Sequence, residues 1–148
     1  MVNGNLPPGW VWRTIVNIVT FEYGKGLRQD KRNPAGTFSV YGSNGIVGYH
    51  DKYLVEEPCL IIGRKGAAGE VHISNKPCWP IDTTYYVIPP QEINLKFLYY
   101  LLSNQNLASL DRSTAIPGLN RNDAYSINVP IPPLPEQERI VARIESLF

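Results

Sequence analysis

Up to Pro90 the apolar and polar positions alternate in short runs that never sustain a helical period. Thr37-Phe-Ser-Val-Tyr41 alternates and predicts a strand, running into Gly42-Ser43-Asn44-Gly45, where Asn-Gly marks a tight turn. Ile46 to Tyr49 continues as strand, and His50-Asp51-Lys52 turns the chain again. Tyr53 to Val55, the apolar run Cys59 to Ile62, and Glu70 to Ile73 predict three more short strands. Asp82 to Ile88 is β-branched and aromatic, a strand stopped by Pro89 and Pro90. Near the start, Trp10 and Trp12 sit two apart and share a strand face, which predicts core packing, with base stacking as the alternative. Thr14 to Val19 fits either a strand or a single helical turn.

The period then changes. Asn94 is a suitable N-cap for Leu95 to Leu102, apolar almost all round and therefore a buried helix. Gln105 to Leu110 predicts a second short helical piece, followed by an irregular polar loop from Asp111 to Arg121. Tyr125 to Val129 alternates as a last strand, and Pro130 to Pro135 reads as a hinge. Beyond it, Pro135 suits a first helical position, and Glu136 and Glu138 favour the positive end of the helix dipole. Ile140, Val141, Ile144, Leu147 and Phe148 form one helical stripe, cut off mid-pattern. The expectation is a fragment whose helix continues and pairs with a partner helix rather than docking on this domain.

Composition narrows this picture. The length of 148 residues suits one domain with a proper core, and 43% hydrophobic residues exclude a disordered segment. Thirteen prolines and twelve glycines call for many turns and short elements. No apolar run approaches the ~20 residues of a membrane span, and the first residues lack the basic head and apolar core of a signal peptide. Cys59 and Cys78 lie in apolar contexts without metal-knuckle spacing, which predicts buried free thiols in a cytoplasmic protein, with a disulfide as the alternative.

A net charge of +1 excludes a protein held on nucleic acid by bulk charge but leaves room for a local patch. Lys25, Arg28, Lys31 and Arg32 crowd a glycine-flanked loop with one Asp30 among them. Ile61-Ile62-Gly63-Arg64-Lys65-Gly66-Ala67-Ala68-Gly69 reads as a buried strand delivering two cations to the tip of a tight loop. Arg64 suits bidentate contact with guanine or phosphate, Lys65 a mobile point charge. Catalytic readings find little support. Leu6-Pro-Pro-Gly, Ile88-Pro-Pro-Gln and Ile131-Pro-Pro-Leu do not match the Asn/Asp-Pro-Pro-aromatic motif of an adenine methyltransferase. Glu22, Asp30 and Asp51 lack the spacing of a nuclease metal site. His50 reads as a turn residue and His72 as a strand residue rather than metal ligands.

The motifs also occur in a recognisable order. Leu6-Pro-x-Gly-Trp10 is followed by Tyr41-Gly-Ser-Asn-Gly-Ile-Val-Gly-Tyr-His and by Ile62-Gly-Arg-Lys-Gly-x-x-Gly69. Then come Trp79-Pro-Ile-Asp-Thr-Thr-Tyr-Tyr-Val, Ile116-Pro-Gly-Leu-Asn-Arg121 and Val129-Pro-Ile-Pro-Pro-Leu-Pro-Glu-Gln-Glu-Arg-Ile-Val141. From Leu6 to Phe148 this resembles a target recognition domain of the DNA specificity subunit of a type I restriction–modification enzyme. The resemblance implies an α+β fold, an irregular β-helix-like domain of short strands followed by helices. Residues 6–130 would be the recognition domain, and 131–148 the proline hinge and the start of a long conserved spacer helix. It implies a non-catalytic, cytoplasmic component that reads part of a double-stranded DNA target. Modification (methyltransferase) subunits using S-adenosylmethionine and a restriction subunit using ATP would supply the chemistry, so no cofactor belongs to this chain. A recognition domain of a fused restriction–methyltransferase, and a protein–protein module that binds no DNA, are the alternatives.

Recognition needs side chains that reach base edges and cations that fix register on phosphates. On turns and loops the candidates are Arg64 and Lys65; Ser43 and Asn44; Lys25, Arg28, Lys31 and Arg32; and Arg112, Ser113, Thr114, Asn120 and Arg121. Thr83, Thr84 and Tyr85 are weaker, because β-branched strand residues usually pack. If Arg64 holds phosphate, Arg64→Ala weakens binding uniformly across DNA sequences. If it reads guanine, the loss is ~1–3 kcal/mol at one base pair. Competition among single-base variants separates the two, and unchanged binding to every variant removes Arg64 from the interface.

Overall fold

The computed structural model describes residues 5–110 and 118–148. Among the described residues, nine short strands and three α-helices alternate with single 3₁₀ turns. Strand β1 (Val11–Thr14) leads into a 3₁₀ turn at Ile15–Asn17, which settles the Thr14–Val19 segment as helical. Strand β2 (Glu22–Tyr23) precedes the basic loop, itself carrying a 3₁₀ turn at Gln29–Lys31. Strands β3 (Phe38–Gly42) and β4 (Gly45–His50) form the hairpin predicted around Asn44-Gly45. Strands β5 (Cys59–Gly63), β6 (Val71–Ser74), β7 (Cys78–Pro80) and β8 (Thr84–Val87) come next. Tyr53 to Val55 forms no strand, only an isolated antiparallel bridge: Leu54 and Val55 donate their backbone N–H groups to Cys78 O, and Val55 O accepts from Cys78 N.

The strands make three small sheets in the orders β1-β9, β2-β8-β5-β6 and β4-β3-β7. Strand β5 is buried at all five positions, and its alternation sends the two sides into different cores. Leu60 and Ile62 join Phe21, Tyr85, Val87, Leu98 and Leu102 in the main core. Cys59 and Ile61 pack with Tyr41, Val55 and Cys78 in a second cluster. The cysteines are free and buried, their sulfurs 3.8 Å apart. The hydrogen bond to Cys78 and burial together push the Cys59 thiol well above its ordinary range.

The helices close the main core. Asn94 caps α1 (Leu95–Ser103) by accepting from the Phe97 N–H at 2.9 Å. Phe97, Leu98 and Leu102 are buried, while Tyr99 and Tyr100 pack at the margin, so the helix is covered on one side rather than all round. After a 3₁₀ turn at Leu107–Leu110 the chain returns at Gly118 and forms α2 (Arg121–Tyr125). Strand β9 (Asn128–Ile131) therefore starts three residues later than expected, because Tyr125 ends a helix and its hydroxyl accepts from the Phe21 N–H. Pro130 lies within β9, tolerated in a two-stranded pair, and Ile131 pairs with Val11. The tryptophans are not core residues: Trp10 precedes β1, and Trp12 is 36% exposed because β1 belongs to a two-stranded sheet. His50 is likewise no turn residue; it ends β4, buried, and its Nδ1 accepts from the Asn33 N–H.

Helix α3 (Leu134–Glu145) begins at Leu134, so Pro135 is its second residue. The helix docks on this domain along its length, with Val141 in the main core and Ile140 packed against it, contrary to the expectation that the stripe serves a partner alone. Gln137 and Val141 are buried, whereas Leu147 and Phe148 are 66% and 98% exposed. Gln137 is fully buried, and its amide ties three main-chain groups. Oε1 accepts from Asn94 N at 2.7 Å, and Nε2 donates to Glu92 O and Pro132 O, each at 3.0 Å. Lys96 adds an ion pair to Glu145 at 3.1 Å. Gln137→Ala leaves those three groups without partners and is expected to cost about 2–4 kcal/mol, read as a lower denaturant midpoint with an unchanged slope.

Candidate nucleic-acid interface

The basic turn leaves β5 at Gly63 and closes on itself. Gly63 N donates to Glu70 O and Gly69 N donates to Gly63 O, both at 2.8 Å. A Cβ at Gly63 would stand 2.0 Å from Ala67 O, so only glycine permits this closure. Gly69 has φ +85° and its missing Cβ would meet Ala108 N at 2.4 Å, which seats the turn on the Leu107–Leu110 helical turn. Ser43 supports the turn from the hairpin side, its hydroxyl accepting from Ala67 N at 3.2 Å.

The tip is held just as firmly. The N–H groups of Arg64 and Lys65 both donate to Thr83 O, at 2.8 and 3.1 Å, and Arg64 O accepts from Leu119 N at 2.8 Å. An isolated bridge pairs Lys65 with Gly118, and the Tyr85 hydroxyl donates to Leu119 O at 2.7 Å. The strand-end turn at 82–83, the basic turn and the chain entering α2 are thus joined through main-chain groups. Burial and the neighbouring Tyr23 push the Tyr85 hydroxyl above its ordinary value, against the opposing pull of Arg121 and Arg64.

Between these segments opens a cleft of about 500 Å³ whose floor is Tyr23 and Tyr85. Arg64, Lys65, Asn120, Arg121 and Asn122 surround it, with no carboxylate among the described lining residues. Two guanidinium groups stack on Tyr23: the Arg121 carbon is 4.6 Å from the ring centroid and that of Arg64 5.4 Å. Each is also anchored to a carbonyl, Arg121 Nη1 to Phe21 O at 2.8 Å, and Arg64 through Nε and Nη2 to Asp82 O. Neither arginine nor Lys65 forms an ion pair with a carboxylate among the described residues. The arrangement concentrates positive charge on pre-oriented donors and suits an anion.

Four residues predicted from the sequence therefore meet here: Arg64, Lys65, Asn120 and Arg121. Asn120 also caps α2, accepting from Asn122 N at 2.9 Å. Ser43 lies beneath the basic turn rather than in the cleft, and Asn44 is exposed at the hairpin tip. Lys25 is exposed beside β7, its carbonyl accepting from Trp79 Nε1. Arg28 and Lys31 are exposed farther along the loop, Arg28 with Asp30 at 3.4 Å. Arg32 folds back onto Leu27 O and lines a separate hollow with Val47 and Tyr49. Arg112, Ser113 and Thr114 lie outside the described residues. Thr84 is buried and packs, and Tyr85 forms the cleft floor. The sequence pattern did not single out Tyr23 or Asn122; an aromatic residue directly before the glycine-flanked basic loop was the available signal for Tyr23.

Comparison with known proteins places this chain in a family. The family model described as type I restriction modification DNA specificity domain matches residues 7–148. The chain belongs to this family. A relative from Mycoplasma pneumoniae is 26% identical to this specificity domain over 149 residues, 97% of the chain and 40% of the relative. The EcoDI type I restriction enzyme specificity subunit of Escherichia coli is 39% identical over 61 residues, 38% of the chain and 14% of that protein. The crystal structure of the type I restriction–modification S subunit from M. genitalium shares the fold, with a TM-score of 0.81 at 22% identity. That match covers 99% of this chain and 40% of the other. The fold is thus the expected α+β arrangement of short strands followed by helices, and the chain spans about 40% of the Mycoplasma pneumoniae relative.

The tight closure of the basic turn makes a stability prediction. Gly69→Ala forces a Cβ into the Leu107–Leu110 backbone at positive φ and is expected to cost at least ~2 kcal/mol. Gly26→Ala, whose Cβ would find its nearest neighbour at 3.7 Å, is the neutral control. Equal denaturant midpoints for the two variants would contradict a turn closed by this backbone contact.

Proposed function

We propose that this chain is one target recognition domain of a type I specificity subunit, binding double-stranded DNA and reading one part of its target. Residues 6–130 form the recognition unit, and 131–148 the hinge and the start of a spacer helix. The observation that carries the reading is the cleft at 64, 65 and 121, three cations without a carboxylate partner among the described residues, in a member of a DNA specificity family. Phosphate contacts there fix register, while exposed groups such as Asn44 and Lys25 reach the groove or the flanking backbone.

The domain itself catalyses nothing in this reading. Adenine methylation belongs to modification subunits that carry S-adenosylmethionine, and ATP-driven restriction to a further subunit, all in the cytoplasm. Among the described residues no helix is long and apolar enough to cross a membrane. No feature favours a fused restriction–methyltransferase over a separate subunit.

The test is a graft. Residues 6–131, extended by one so that Ile131 keeps its pairing with Val11, replace one recognition domain of a characterised specificity subunit expressed with its modification subunits. Genome-wide mapping of adenine methylation is expected to show a new half-site beside the unchanged second half. An assembled complex that methylates only the old target, or nothing new, would overturn DNA recognition in favour of a protein-binding module.

A further inference from the structure

Tyr23 is 53% exposed, yet its ring carries two arginines from distant parts of the chain. Both arginines line one cleft with Lys65, and the like charges gathered there repel each other, a repulsion that an anion in the cleft reverses. The anchoring carbonyls limit what the guanidinium groups can do. The Nε–Nη2 edge of Arg64, one of the two edges able to grip guanine bidentately, is already committed to Asp82 O. One Nη1 donor of Arg121 is committed to Phe21 O. What remains on each includes an outer edge of two donors on a fixed plane. One such edge would serve the paired acceptors of a guanine, but two guanidinium groups on one ring call for a full negative charge between them, which a phosphate carries and a guanine edge does not. Lys65 adds a point charge on the same rim.

From this geometry we infer that Arg64 and Arg121, stacked on Tyr23, jointly hold a single phosphate of the DNA backbone. Tyr23 is the positioning residue of this clamp, and Arg64 is not a guanine reader. The inference rests on the proposed DNA-binding role and goes beyond it by assigning the cleft a sequence-independent part. Base discrimination then belongs to groups outside the cleft. Tyr23 acts through the arginines: its ring supplies a negative face that holds both planes and lowers the entropy lost when phosphate binds.

The experiment uses the grafted subunit assembled with its modification subunits and duplex DNA carrying the mapped half-site. Arg64→Gln, Arg121→Gln and the double variant are titrated against the cognate duplex and its single-base variants over a salt series. One shared phosphate predicts that each single variant weakens binding by the same factor on every duplex. It also predicts that the double variant lowers the log–log salt slope by about 0.9. Tyr23→Leu should behave like a single arginine variant, with unchanged thermal unfolding, and Tyr23→Phe should restore wild-type binding. A slope change near twice that value means two phosphates and overturns the clamp. Loss confined to one base pair means base reading and overturns it equally. An unchanged slope with weakened folding means the stack is only structural. In those three cases the unmodified complex still binds, so the DNA-binding reading stands; failure of the unmodified complex to bind would sink both.

Discussion

Strand β5 is the constraint on which the rest of the architecture depends. Five consecutive buried residues leave neither face for water, so each needs its own cover. Leu60 and Ile62 draw Phe21, Tyr85 and the α1 helix to one side, and Cys59 and Ile61 draw Tyr41, Val55 and Cys78 to the other. A strand so enclosed cannot slide by a residue, because a slip would exchange its two side-chain sets between cores. The two cations next to Gly63, Arg64 and Lys65, are therefore presented at a fixed point.

That fixed point explains how a domain with a net charge of +1 can offer a strong local field. The turn is closed by its own main-chain hydrogen bonds and tied through Thr83 O and Leu119 N to two other segments. Those segments bring Asp82 O, Tyr85 and Arg121 to the same place as Tyr23 from β2. Backbone groups hold the cations, so no carboxylate is needed to orient them, and their charge is left for a ligand. Orientation by carbonyl and ring also spares much of the side-chain entropy that long cations lose on binding.

At the other end of the core a single amide plays the corresponding part. Gln137 satisfies Asn94 N, Glu92 O and Pro132 O together, joining the entry to α1, the segment after β9 and the first turn of α3. A buried polar group with every bond made is specific in a way an apolar contact is not, because a shifted helix would strand all three partners. These bonds fix the first turn of α3 against the entry to α1 and the segment after β9. Leu147 and Phe148, exposed just past the end of that helix, take no part in this docking.

Local patterns in the sequence determined much of the fold. Alternation marked β3, continued in β4, an apolar run marked β5, β-branched and aromatic residues marked β8, Asn-Gly marked the hairpin turn, and Asn94 marked the start of α1, since each depends on residues within a few positions. The glycines at 63 and 69 marked the closed turn because the backbone there admits no side chain. Long-range pairing decided the rest. The tryptophan pair looked like core, but among the described residues β1 pairs with β9 alone. Tyr125 looked like strand, but its hydroxyl reaches a backbone N–H from 104 residues away. Of the scattered basic residues, the folded chain gathers Arg64, Lys65 and Arg121 around Tyr23 and leaves Arg28 and Arg32 elsewhere. No spacing along the chain encodes that selection, because it is made by carbonyls and a ring contributed by segments that meet only when β5 is buried.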